Sequence, residues 1–216
     1  TRARTPDTGW FFVEKADETI HYKGTGRSPE YATQRIQAKP EDMASLQGLS
    51  EKELNEVMVM CYHKWDNTRK YLSMAIPDSG YFFLNGQGMK PWNPIQKGSR
   101  FILENYKQAM TAEGEWFMEP SGDLYYIPRK GEIMETSIAH APVLNRLVTI
   151  KGEKGYPVKN ITFRNLSFEH SGYVMPKTGN NPAQAASPVD AAIHLDFADN
   201  IRFENCEIKH TGNYAI

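Results

Sequence analysis

The sequence has little that points to a membrane, a nucleic acid or a redox centre. It has 2 cysteines among 216 residues, and Cys61 and Cys206 lie far apart with no CxxC neighbour. That excludes a disulfide framework and a thiolate metal site. Each sits in an alternating apolar run and reads as a small, buried, unpaired side chain. No apolar run approaches the ~20 residues of a membrane-spanning helix. Neither sign of charge is in excess: 25 basic and 26 acidic residues leave a net charge of −1, without long blocks of either. A nucleic acid or an anionic membrane is therefore excluded as the main partner. A Walker loop, GxGxxG, HExxH and a serine triad are absent, so neither a cofactor nor a metal is implied. What is present is 40% apolar and 12% aromatic residues, enough for a packed core.

The chain opens TRARTPDTGW, without a signal-type apolar region, and stops at NYAI, in what reads as the start of a strand. The expectation is an excised piece of a longer protein, so the missing leader does not argue for the cytoplasm.

Up to about residue 140 the pattern is mostly β. Trp10–Val13 and Ala32–Ile36 suit short edge strands between Gly and Pro turns. Residues 40–48, with Pro40 in the first turn and Gly48 at the close, suit a short helix. In Glu56–Trp65, Val57, Val59 and Cys61 alternate with Met58, Met60 and Tyr62, a strand period. Further strands are expected at Lys70–Ile76 and Tyr81–Leu84. Residues 101–110 read as a strand running into a short helix. EWFM and LYYIP flank the turn PSGD as a hairpin.

An internal repeat dominates the remainder. Residues 159–172 (KNITFRNLSFEHSG) and 199–212 (DNIRFENCEIKHTG) match at an offset of 40, with six identities in fourteen positions. The apolar phase is kept throughout. A shorter echo, Ala192-Ile193 and Ala215-Ile216, recurs at 23. One coil of about 23 residues, widened by a loop between Ser171 and Asp190, accounts for both. Short strands repeated at this length are the pattern of a parallel β-solenoid. Between paired strands stands a single Asn, a residue that tolerates the left-handed region a sharp corner needs. Asn165 and Asn205 should stack and share a buried amide hydrogen bond.

The repeats with corner asparagines, the block RFILENYKQAMTAEGEWFMEPSGDLYYIP, the string HKWDNTRKYLSM and the downstream AIHL and HTGNYAI together resemble bacterial carbohydrate-active enzymes. These are right-handed parallel β-helix proteins with an inserted β-sandwich, similar to glycoside hydrolase families 141 and 120. The resemblance covers most of residues 57–216. It implies an all-β fold: a β-rich, sandwich-like inserted domain over 1–140, then opening β-helix coils over 141–216. It also implies a secreted, periplasmic or cell-surface protein hydrolysing fucosides or xylan-type glycans, with an oligo- or polysaccharide as partner. The catalytic carboxylates of such enzymes are expected on later coils, so a complete catalytic site is not expected here. A polysaccharide lyase and a non-catalytic glycan-binding or structural solenoid are the alternatives.

In the run Ala192–Phe197, Ile193, Leu195 and Phe197 should face inward and His194 and Asp196 outward, as candidate acid and base. Their competing reading is two solvated surface residues. His170 and His210 repeat, which argues first for a structural role and second for lining a groove. Gln184 lies in the widened loop and is a sugar-contact candidate. Trp65 and Arg69 are candidate substrate contacts whose competing roles are packing and ion pairing. Trp10 and Trp92 could stack on sugar faces, and their competing reading is half-buried core. Coils stack about 4.8 Å apart, which suits the roughly 5–5.5 Å carboxylate pair of a retaining hydrolase. Asp196 has no evident partner in this sequence.

Overall fold

The computed structural model of the protein describes residues 1–183 and 190–216. The chain is all-β and divides into two compact units. The first comprises Thr1–Thr136 and Met175–Pro182, the second Ser137–Val174 and Ala183–Ile216.

The first unit contains strands β1 (Arg4–Thr5), β2 (Phe11–Phe12), β3 (Lys15–Tyr22), β4 (Tyr31–Gln37), β5 (Met58–Tyr62), β6 (Asn67–Ile76), β7 (Tyr81–Gly86), β8 (Arg100–Glu104), β9 (Trp116–Met118) and β10 (Leu124–Tyr126). β9 and β10 form the expected hairpin. The others form one antiparallel sheet in the order β1-β8-β5-β6-β7-β4-β3, with β2 also on β8. β6 bends this sheet. Its first half, to Tyr71, pairs with β5, whereas Leu72 onward pairs with β7 across a bulge between Leu72 and Met74. A strand that switches partners at a bulge lets two half-sheets close on one core. Phe101 from one half and Phe82 from the other meet at 5.2 Å between ring centroids. Val57, Val59 and Cys61 are fully buried, as their period-two pattern predicts.

The helix expected over 40–48 is a 3-10 helix at Pro40–Leu46, whose Met43 and Leu46 join the core. A second helix, α1 (Glu51–Leu54), was not expected from the sequence; Ser50 and Glu53 cap its start. The Ser50 side chain accepts from the Glu53 N–H, and Glu53 reaches back to the Ser50 N–H. Two edge assignments are only half right. β2 is a short flank of β8, but β4 lies inside the sheet, between β3 and β7. The edge is β3, whose polar face carries little periodic signal.

The second unit contains β11 (Val148–Lys151), β12 (Val158–Lys159), β13 (Thr162–Arg164), β14 (Ser167–Ser171), β15 (Ile193–Asp196), β16 (Ala198–Asp199), β17 (Arg202–Glu204) and β18 (Glu207–Thr211). They form four parallel pairs, β11-β15, β12-β16, β13-β17 and β14-β18. One turn of chain thus lies in register on the next. Phe163 faces Phe203 in the register and stacks on it at 4.9 Å. Phe168 meets both edge-on.

Asn165 and Asn205 stand between strands at φ 56° and 54°, and Asn205 Nδ2 donates to Asn165 Oδ1 at 2.8 Å. The stacking is as expected, but the amide pair is solvent-exposed rather than buried, because the corner turns its side chain outward. A second ladder, Asn160 and Asn200, repeats the arrangement at φ 60° and 53°, joined at 2.6 Å. Gly172 and Gly212 repeat for a different reason. A Cβ at Gly212 would stand 2.6 Å from the Gly172 carbonyl carbon, so the two turns approach too closely for a side chain.

Candidate active site

The β11-β15 ladder carries the candidate residues. Val148 faces Ile193, Thr149 faces His194, Ile150 faces Leu195 and Lys151 faces Asp196. Ile150 and Ile193 are buried, while His194 and Asp196 are partly exposed. Strand alternation puts Thr149, Lys151, His194 and Asp196 on one face. Phe197 does not continue the inward phase. It adopts φ 45° as the corner between β15 and β16 and is 49% exposed. Alternation ends where a corner residue enters the left-handed region. The first turn also spends ten residues from Val148 to Val158, whereas its partner spends five from Ile193 to Ala198. The repeat offset found on the other ladders therefore does not identify Lys151 as the neighbour of Asp196.

The carboxylates on the other strands of this unit are occupied. Asp199 pairs with Lys159, Glu204 with Arg164 at 2.6 Å, and Glu169 and Glu207 with Lys209. Ser167 and Lys209 hold Glu169 below the usual glutamate range, and Lys209 does the same to Glu207. Asp196 alone among these strand carboxylates has no cation within 4 Å among the described residues. The His194 ring likewise makes no hydrogen bond or ion pair there. A neighbouring imidazole and carboxylate on one face, both uncommitted, can donate and accept protons or hold sugar hydroxyls.

His170 and His210 adopt φ 59° and 52° and stack at 5.0 Å with rings 4° apart. His140 extends the stack, 4.1 Å from His170. Stacked faces do not converge on one point, and no cluster of metal-ligating residues occurs among the described residues. The widened loop is divided: Met175–Pro182 belongs to the first unit. There Asn180 pairs with Arg69 through backbone bonds of 2.7 and 2.9 Å, and Lys90 Nζ donates to the Pro182 carbonyl. Gln184 lies outside the described residues. Arg69 forms an ion pair with Glu104 at 3.2 Å. Trp65 projects from the β5-β6 turn, 62% exposed. Trp10 and Trp92 are exposed too, each lying under a guanidinium, Arg100 at 4.7 Å and Arg27 at 4.2 Å.

Sequence reasoning missed one buried polar cluster. Lys70 is 2% exposed. Its Nζ donates to Gln34 Oε1 at 2.6 Å and the Gln87 carbonyl at 2.5 Å, and Gln34 donates to Glu18 at 2.7 Å. Burial pushes the ammonium down to about 8. The signal was a lysine in the inward phase between Thr68 and Leu72. Cys61 and Cys206 are both free, and burial pushes the Cys61 thiol up to about 12.

No protein-family model and no curated protein matches this sequence. A solved structure described as a glycoside hydrolase shares the fold. The likeness has a TM-score of 0.68 at 18% identity and covers 98% of this chain and 41% of that one. The present chain thus spans well under half the length of that structure. The class defined here is an all-β, two-unit fold common to a glycoside hydrolase.

Proposed function

We propose that this chain is part of a secreted or cell-surface glycoside hydrolase acting on oligo- or polysaccharides. In this reading the first unit is the sandwich-like inserted domain, and the second is the start of a right-handed parallel β-helix. Asp196 and His194 belong to the groove. The observation that carries the reading is the uncommitted Asp196–His194 face, amid strands whose other carboxylates are all ion-paired. The fold likeness to a glycoside hydrolase supports the substrate class. Lys151, not a carboxylate, faces Asp196 on the turn before. A retaining pair about 5 Å apart would therefore need its second carboxylate from a turn stacked on the other side of β15.

The test is turnover of aryl fucosides and aryl xylosides by the longer protein, beside its Asp196→Asn and His194→Ala variants. Losing a general acid or base removes about 10²–10⁴-fold of rate, with the melting temperature nearly unmoved. Full activity in Asp196→Asn would overturn the assignment. The adjacency of Lys151 and Asp196 favours one second reading, a lyase whose cation neutralises a uronate beside a base. Release of an unsaturated, ultraviolet-absorbing uronate product would establish it.

A further inference from the structure

In the first unit a cleft of about 300 Å³ opens over the bulge of β6. Leu72 and Leu84 face the core, so Tyr71, Ser73 and Asn85 belong to the opposite face of the sheet. Asn55 and Glu56, just after α1, line one part of the rim. Lys177 lines another and is carried by the segment that Arg69 and Asn180 hold in place.

The chemistry of these groups is specific. Ser73 Oγ donates to the Phe83 carbonyl at 3.1 Å, which leaves its lone pairs to accept. Asn85 Oδ1 accepts from Thr33 Oγ1 at 2.8 Å, which leaves its two amide N–H groups to donate. The side chains of Asn55, Glu56 and Lys177 make no hydrogen bond or ion pair with any described residue. One carboxylate and one ammonium balance, so a charged ligand gains no net attraction. Donors and acceptors lining one cleft together with an aromatic side chain match a ligand with hydroxyls at its edge and C–H groups on its face. The volume is at the lower end for ligand sites and fits one or two sugar rings.

We propose that this cleft is a binding site for a neutral sugar residue, built into the first unit in addition to the candidate active site. It rests on the carbohydrate reading above, but not on the roles given to Asp196 and His194. Tyr71 packs against the ring face, Asn55, Asn85 and Lys177 donate to hydroxyl oxygens, and Glu56 accepts from hydroxyls.

The test is calorimetric titration of the 216-residue chain with cellotriose, xylotriose and trigalacturonate. At least one neutral trisaccharide should bind, with trigalacturonate weaker. Asn55→Ala combined with Lys177→Ala, both exposed and without side-chain hydrogen bonds to described residues, should weaken it by about tenfold or more for the lost hydrogen bonds. Preference for trigalacturonate, or no binding of the neutral sugars at millimolar concentration, would overturn the proposal. So would equal affinity in the double variant. Binding weakened by Asp196→Asn, but not by the cleft variants, would also remove this site while leaving the enzyme reading intact.

Discussion

Replacing Asn205 separates two effects that the corner combines. Its φ of 54° would bring an alanine Cβ against the following carbonyl, a cost of roughly 1–2 kcal/mol that Asn partly avoids and Gly escapes. Its side chain also donates to Asn165 at 2.8 Å. Because that bond is exposed, its net contribution belongs at the low end of the usual range, about 0.5 kcal/mol. Asn205→Ala should therefore cost about 1.5–2.5 kcal/mol. Asn205→Gly should cost about 1 kcal/mol, from the lost bond and the freer unfolded chain. All 4 tryptophans lie in the first unit, so their fluorescence does not report directly on this rung. Amide hydrogen exchange does. The Arg202 N–H donates to the Ile161 carbonyl and the Glu207 N–H to the Leu166 carbonyl, bracketing the corner. Both protections should fall, further in the alanine variant. Equal loss in the glycine variant would refute the backbone argument. Strict additivity of Asn165→Gly with Asn205→Gly would refute the ladder.

Gly212→Ala should destabilise the second unit by about 1–3 kcal/mol, because its Cβ meets backbone rather than a movable side chain; unaltered exchange at the Gly212 N–H would contradict this. Lys70 makes stability rise with pH. Its folded value near 8 lies below the unfolded one, so between about 8 and 10.5 the unfolded chain binds more protons, and the lysine's contribution rises by on the order of 3 kcal/mol. The buried Cys61 thiol, pushed up to about 12, opposes this above about pH 9, so in a Cys61→Ala background urea titrations at pH 7.5, 9 and 10 (about one pH unit or more apart, enough to resolve such a linkage) should show that slope, and adding Lys70→Met should abolish it. The 216-residue chain by itself should turn over neither aryl fucosides nor aryl xylosides, since Asp196 faces Lys151 rather than a second carboxylate. Robust hydrolysis would show that the second acid lies within these residues.

Local chemistry was legible in the sequence wherever one residue type has few alternatives. Six identities at a fixed offset specified parallel register, because only in-register stacking keeps Phe163 on Phe203 and Asn165 beside Asn205. A period-two run marked β5, further runs marked β6 and β7, and PSGD marked the hairpin. Asp196 and His194 could be put on one face by alternation alone. Tertiary structure decided what depends on partners distant in sequence. It put β4 inside the sheet, because position in a sheet is a matter of pairing and not of composition. It ended alternation at Phe197 by placing a corner there. It set Lys151 beside Asp196, since the loop from Gly152 to Pro157 changes one ladder's register without disturbing the rest. It also buried Lys70, a residue whose type argues for the surface, because Gln34, Gln87 and Glu18 converge on it from three segments. Patterns repeated along the chain survive as sequence signals. Contacts made once, between distant segments, do not.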